Sequence, residues 1–158
     1  MAKLEPTPSS ILDSGIAVAE NKRIYDVWKA NQQAGQDLPR SPEQQRAINI
    51  RAAVDNHPEV PFVQRIQNPG IFPVLNNPDG SIGTHEMRAE QRDNGEWISF
   101  PQITPDYKGG MVRIPGAHAM NTATADGNYL NFGDNKQRAL NFSKHYKDVL
   151  WPNGFLGK

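Results

Sequence analysis

Apolar residues recur at helical spacing in two stretches early in the chain, alternate in its middle, and return to helical spacing near its end. From Ser10 to about Ala34, the residues Ile16, Ala19, Ile24, Val27 and Trp28 follow a three-to-four period, and Gly35 offers a stop. A second helix is predicted between Ser41 and Pro58. Ser41 can cap it, Pro42 suits its first position, and Glu43 suits the positive end of its dipole. Its apolar stripe, Ala47, Ile50 and Val54 with Ile48 and Ala52 beside it, is thin and made of small or medium side chains. Such a helix is expected to rest on a partner surface. Residues 58–70 are crowded with prolines and glycines around Phe62, Val63 and Ile66, and read as a linker.

The pattern changes to period two over residues 71–104, which predicts an antiparallel meander. "IFPVLN" is a first strand, "SIGTHEMRAE" a second and "EWISFPQI" a third, with Trp97 on one face and Ile98 and Phe100 on the other. "MVRIP" is a short fourth. The turns between them carry their own chemistry. Asn77-Pro78-Asp79-Gly80 presets φ at Pro and tolerates unusual dihedrals at Asp and Gly, and Asn94-Gly95 is a strong hairpin signal. Pro73 and Pro101 cannot donate in a ladder and belong at an edge or a bulge. After a weak helix over "HAMNTATA", the chain ends on an amphipathic helix. Ala139, Phe142, Ser143, Tyr146, Val149 and Leu150 form its stripe, Asp134 and Gln137 make a capping box, and Pro152 stops it. The expected core packs Trp97 or Ile98, Phe100, Leu140, Phe142 and Tyr146 between the sheet and this helix.

The fold class that follows is α+β: a helical, proline-broken arm and linker over residues 1–70, then a small antiparallel sheet of three or four strands packed by a C-terminal helix over residues 71–158. The chain has 158 residues, 37% of them hydrophobic, with 13 Pro and 13 Gly. Mean hydropathy is −0.68, so a core is expected for part of the chain and an arm that orders on a neighbour for the rest. The arm's partner contacts are expected at Ile16, Ile24, Val27, Trp28, Ile50, Val54 and Phe62.

Charge narrows the function classes. The 17 basic and 17 acidic residues give a net charge of zero, which argues against a nucleic-acid binder. Cysteine is absent, which excludes disulfides and thiolate metal sites. No apolar run approaches the ~18 residues of a membrane span, and the first residues lack the apolar block of a signal peptide, so the protein is expected to be made and kept in a cytoplasm or packed into something assembled there.

The candidate chemistry is sparse. His85-Glu86 lacks the second histidine of a zincin motif, since position 89 is Ala, and neighbours in a strand point to opposite faces. A polar pair on a half-exposed hairpin is the simpler reading. His57, His85, His118 and His145 have no metal-ligand spacing. Glu96 beside Trp97 suggests glycosidase chemistry only faintly, because a polar residue is expected after a turn glycine. No nucleophile elbow, dinucleotide fingerprint or phosphate loop occurs. No catalytic, metal or cofactor residue is assigned, and a non-enzyme is expected.

Residues 71–151 resemble a small domain of tailed-bacteriophage virion proteins, found on internal, ejected or tail-associated polypeptides. The family pattern begins with a turn of the type "NPDGS-x-ST", matched by "NNPDGSIGTHEM", and continues with "DG-x-W-x-x-x-P", matched by "DNGEWISFP". A short helix and "G-x-H-L-x-x-F-x" follow, matched by "GNYLNFGDNKQRALNFSKHY". Tyr129 stands where the family usually has His, and "GAHAMNTATADG" lacks its usual acidic residues. The resemblance implies a non-enzymatic structural component of a phage particle, made in the host cytoplasm. Its partners would be portal, tail or capsid proteins, met in several copies of a symmetric assembly, with no membrane and no specific nucleic acid. The alternatives are an accessory to, or part of, a peptidoglycan-degrading enzyme of the ejection apparatus, and a small protein that blocks a host factor.

Overall fold

The computed structural model describes residues 18–33, 40–83 and 85–153. Among these residues the chain is α+β, with helices α1 (Val18–Gln33), α2 (Pro42–Asp55), α3 (Pro61–Gln67), α4 (Gly116–Asp126) and α5 (Lys136–Leu150). Seven strands complete it: β1 (Leu75–Asn76), β2 (Ile82–Gly83), β3 (Met87–Gln91), β4 (Trp97–Pro101), β5 (Ile103–Pro105), β6 (Met111–Arg113) and β7 (Leu130–Asn131). The leader over residues 1–9, the helix start at Ser10, Ile16 and the stop at Gly35 lie outside the described residues. The chain divides into two compact units, residues 53–145 and residues 1–52 with 146–158, rather than at residue 70.

The larger unit is built on the three-stranded sheet β3-β4-β7, all antiparallel. Alternation along β4 sends Ile98 and Phe100 to one face, where they pack on Ala119 and Ala123 of α4. Ser99 faces the other way. Its hydroxyl donates to the Ala139 carbonyl of α5 at 3.0 Å and accepts from the Ser143 hydroxyl at 3.0 Å. The sheet therefore lies between two helices, and small residues let α5 approach it closely. The expected helix stripe holds at Ala139, Phe142 and Ser143. Leu140, expected in the core, is 38% exposed. Tyr146, expected beside it, is buried but belongs to the other unit, edge-on to Trp151. The helix cap is Asn135, whose side-chain oxygen accepts from the Arg138 N–H at 3.0 Å, one residue later than expected.

The meander is more broken than its alternation predicts. The expected second strand divides into β2 and β3, with His85 and Glu86 in neither, and the third divides into β4 and β5. Three hairpins share one turn. Between β1 and β2 the Asn77 N–H donates to the Ser81 carbonyl (2.9 Å) and the Gly80 N–H to the Asn77 carbonyl (3.0 Å). Arg92 with Glu96, and Asp106 with Gly110, repeat this pattern. Each is a three-residue loop whose last residue is a glycine in the left-handed region, at φ 83° for Gly80, 87° for Gly95 and 83° for Gly109. Asn94-Gly95 thus makes a three-residue turn, not the two-residue one its dipeptide favours.

The linker expected over residues 58–70 instead holds α3. Pro61 takes a first-turn position, where its missing N–H leaves no bond unmade, and Phe62, Val63, Arg65 and Ile66 are buried. Val60 precedes the helix and offers no side-chain cap. The side-chain oxygen of Asn128 supplies one from 66 residues away, accepting the Phe62 N–H at 2.8 Å. Arg65 donates to the Ile103 carbonyl at 3.0 Å and so ties α3 to β5. Phe62 also meets the Phe142 ring edge-on, with centroids 6.2 Å apart.

In the smaller unit, Tyr25 of α1 stacks on Trp28 at 5.6 Å, and the Arg40 guanidinium lies over Trp28 at 5.7 Å. Ser41 and Gln44 form a reciprocal capping box at the start of α2, with bonds of 3.0 and 3.1 Å. The expectation that α2 rests on a partner is overturned. Ile48 and Ile50 are both buried although two residues apart on a helix, so the helix is covered on more than one side. Arg51 donates to the Val149 carbonyl of α5 at 3.1 Å, which ties α2 to the C-terminal end of its own chain.

Candidate functional site

The expected partner contacts separate once burial is known. Ile50, Val54 and Phe62 are buried, Phe62 completely, so their apolar surface is already spent inside the chain. Ile24 and Trp28 are half-buried, and Val27 is exposed.

Exposed apolar side chains gather elsewhere. Of the large hydrophobic residues exposed among the described ones, Ile82, Tyr107 and Val112 lie on the β1-β2 and β5-β6 hairpins, and Ile71 and Phe72 lie in the turn that leads into β1. These hairpins are neighbours, since β1 lies beside β6. Gly83 of β2 also sits on Ile103 of β5, where the Ile103 δ-methyl would be 3.0 Å from any added Cβ. The glycine thus permits the contact between the hairpins. Tyr107 stands almost fully in solvent on its turn, with the Lys108 ammonium 5.4 Å from its ring centre. Sequence alternation placed Ile82 and Val112 on strands but could not say that their outward face stays bare.

His85 and Glu86 are not the half-exposed pair the alternation suggests. His85 is buried, in the irregular stretch before β3. The Glu86 carboxylate is exposed and accepts from the Arg113 guanidinium of β6 at 2.7 Å. Glu96 lies on the β3-β4 turn. Its carboxyl is held below the ordinary glutamate value, first by the Asn94 side-chain amide at 2.8 Å, with Asn131 and the Arg92 guanidinium adding to it. A general acid needs the opposite displacement. Among the described residues no three His, Asp or Glu side chains gather where a metal ion could be held, and no helix is long and apolar enough to cross a membrane.

A second surface lies along β3. A shallow groove of about 490 Å³ runs between this strand and α5, lined by Met87 and Ala89 on one side and Leu140, Ser143 and Lys144 on the other. No family model, no curated protein and no solved structure matches the chain.

Proposed function

We propose that the chain is a non-enzymatic structural component of a bacteriophage particle, holding portal, tail or capsid neighbours through apolar contacts. The observation that carries the reading is the set of exposed apolar side chains on the two neighbouring hairpins, Ile82, Tyr107 and Val112, with Ile71 and Phe72 in the turn that leads into the first of them. Bare apolar side chains on adjacent elements are what a protein-binding surface offers. Val27 on α1 would add a contact from the N-terminal arm. The particle itself rests on the resemblance of the "NNPDGSIGTHEM" and "DNGEWISFP" segments to virion proteins.

Mass spectrometry of purified particles tests the setting. The protein should be present at a fixed ratio to a portal, tail or capsid protein and should survive salt washing. Its absence from particles, or digestion of peptidoglycan by the purified protein, would overturn the reading. Tyr107→Ser with Val112→Ser should lower incorporation while leaving thermal unfolding of the free protein nearly unchanged.

A further inference from the structure

We infer that β3 and the groove beside it form a docking site for an extended, acidic segment of another protein, which adds to the sheet as a fourth strand. The inference stands on this unit alone and holds whether or not the protein belongs to a phage particle.

The order β3-β4-β7 leaves β3 at an edge. Its register with β4 determines which backbone groups are used. Glu86 accepts from the Gln102 N–H at 2.7 Å and Arg92 donates to the Glu96 carbonyl at 2.8 Å, so bonded pairs fall at even-numbered residues of β3. Antiparallel pairing alternates, so Arg88 and Glu90 direct N–H and C=O at β4, whereas Met87, Ala89 and Gln91 direct theirs outward. No described residue bonds to those outward groups. Edge strands of this length are usually blunted by a proline, a bulge or a covering element, and β3 has neither proline nor bulge.

The groove specifies what would pair there. Alternation turns the side chains of Met87 and Ala89 toward α5, where the half-exposed Leu140 leaves room for small apolar side chains of an incoming strand. Its lining contains no carboxylate. Arg88 is already paired with Glu90, and its guanidinium lies against Gly116. Lys144 has no ion-pair partner among the described residues. A strand whose groove-facing side chains are small and apolar apart from one aspartate or glutamate satisfies the open backbone, the groove and this cation. Main-chain bonds would give affinity and the groove would give selectivity.

The test uses the full chain and labelled octapeptides in which threonine alternates with valine and one of the valines is replaced by aspartate or by lysine. The acidic peptide should bind. In amide exchange it should protect Met87, Ala89 and Gln91, which exchange fast in the free protein, while Arg88 and Glu90 are protected throughout. An acidic peptide N-methylated along one edge should not bind, and this control leaves the protein untouched. Ala89→Pro removes an outward N–H and no bond to β4, so it should abolish binding while the circular dichroism stays unchanged. Lys144→Glu should weaken the acidic peptide about tenfold, as expected for a charge-assisted contact, and favour the lysine peptide. Equal binding of both peptides to the unaltered chain, binding of the N-methylated peptide, or no alternating protection in β3 would overturn the assignment. So would protection of the three amides without peptide that rises with protein concentration, since a second copy would then hold the edge.

Discussion

The two faces of the β3-β4-β7 sheet are closed by different means. On the α4 face, Ile98 and Phe100 are large and the helix meets them with Ala119 and Ala123, so big side chains fill the gap. On the α5 face the strand offers Ser99, the helix offers Ala139 and Ser143, and hydroxyl bonds take the place of bulk. The first face tolerates polarity badly and the second tolerates volume badly. One strand supports both because its side chains alternate.

Phe100→Ala should give the largest effect, about 3–5 kcal/mol of lost stability in urea unfolding, because a fully buried ring leaves a cavity. A loss below about 1 kcal/mol would mean that α4 collapses into the gap and that its face is not close-packed. Ser99→Val tests the opposite limit. It adds methyl groups where the helix backbone is nearest and should cost about 1–3 kcal/mol. If valine is accepted without loss, the contrast between the faces fails. Ser99→Ala should cost less, about 0.5–1.5 kcal/mol, and should couple to Ser143→Ala in a double-mutant cycle, since the two hydroxyls share one network. Leu140→Ala should cost under about 1 kcal/mol, because that side chain is already half in water. A larger cost would place Leu140 among the packed residues and sharpen the boundary of the α5 face.

The smallest effect is one of pH. Asp79 is held below its ordinary value first by the Ser81 hydroxyl, and Glu96 first by the Asn94 amide. A carboxyl lowered by folding contributes stability above its unfolded pKa and loses it as the pH falls through the folded one. Both groups are exposed, so solvent screens their contribution. The two hairpins should loosen only in acid below the ordinary carboxylate range, which the amide shifts of Ser81 and Glu96 would report. Asp79→Asn should remove that dependence at the first turn alone.

Much of this was legible from residue types whose role is local. Ser41 and Pro42 marked the start of α2, the turn glycines marked the hairpins, and the Ala139-Phe142-Ser143 spacing marked the buried side of α5. The misreadings share a cause. Pro61 stands with Pro58, Pro69 and Gly70 in a segment of linker composition, yet it is the first-turn proline of a helix too short to display its period. The α2 stripe looks thin in the sequence because periodicity assumes one covered side, and α2 has more. The apolar contact residues suffered for the same reason: Ile50, Val54 and Phe62 have the chemistry of partner contacts but are buried by their own chain. The β3 groove was invisible, because which strand ends a sheet depends on partners chosen far along the chain.

The turn shared by the three hairpins has a consequence for how quickly each part of the molecule assembles. Each hairpin closes a loop of three residues, so its contacts cost little chain entropy and can form on the ~1–10 μs scale of isolated hairpins. The bond from Phe62 to Asn128 spans 66 residues, so closing it costs more chain entropy and is expected after the hairpins. Asn128 is therefore a late fastener. Asn128→Ala should speed unfolding in stopped-flow experiments and leave the refolding rate almost unchanged. A refolding rate that falls in step with stability would show that α3 docks before the hairpins have finished.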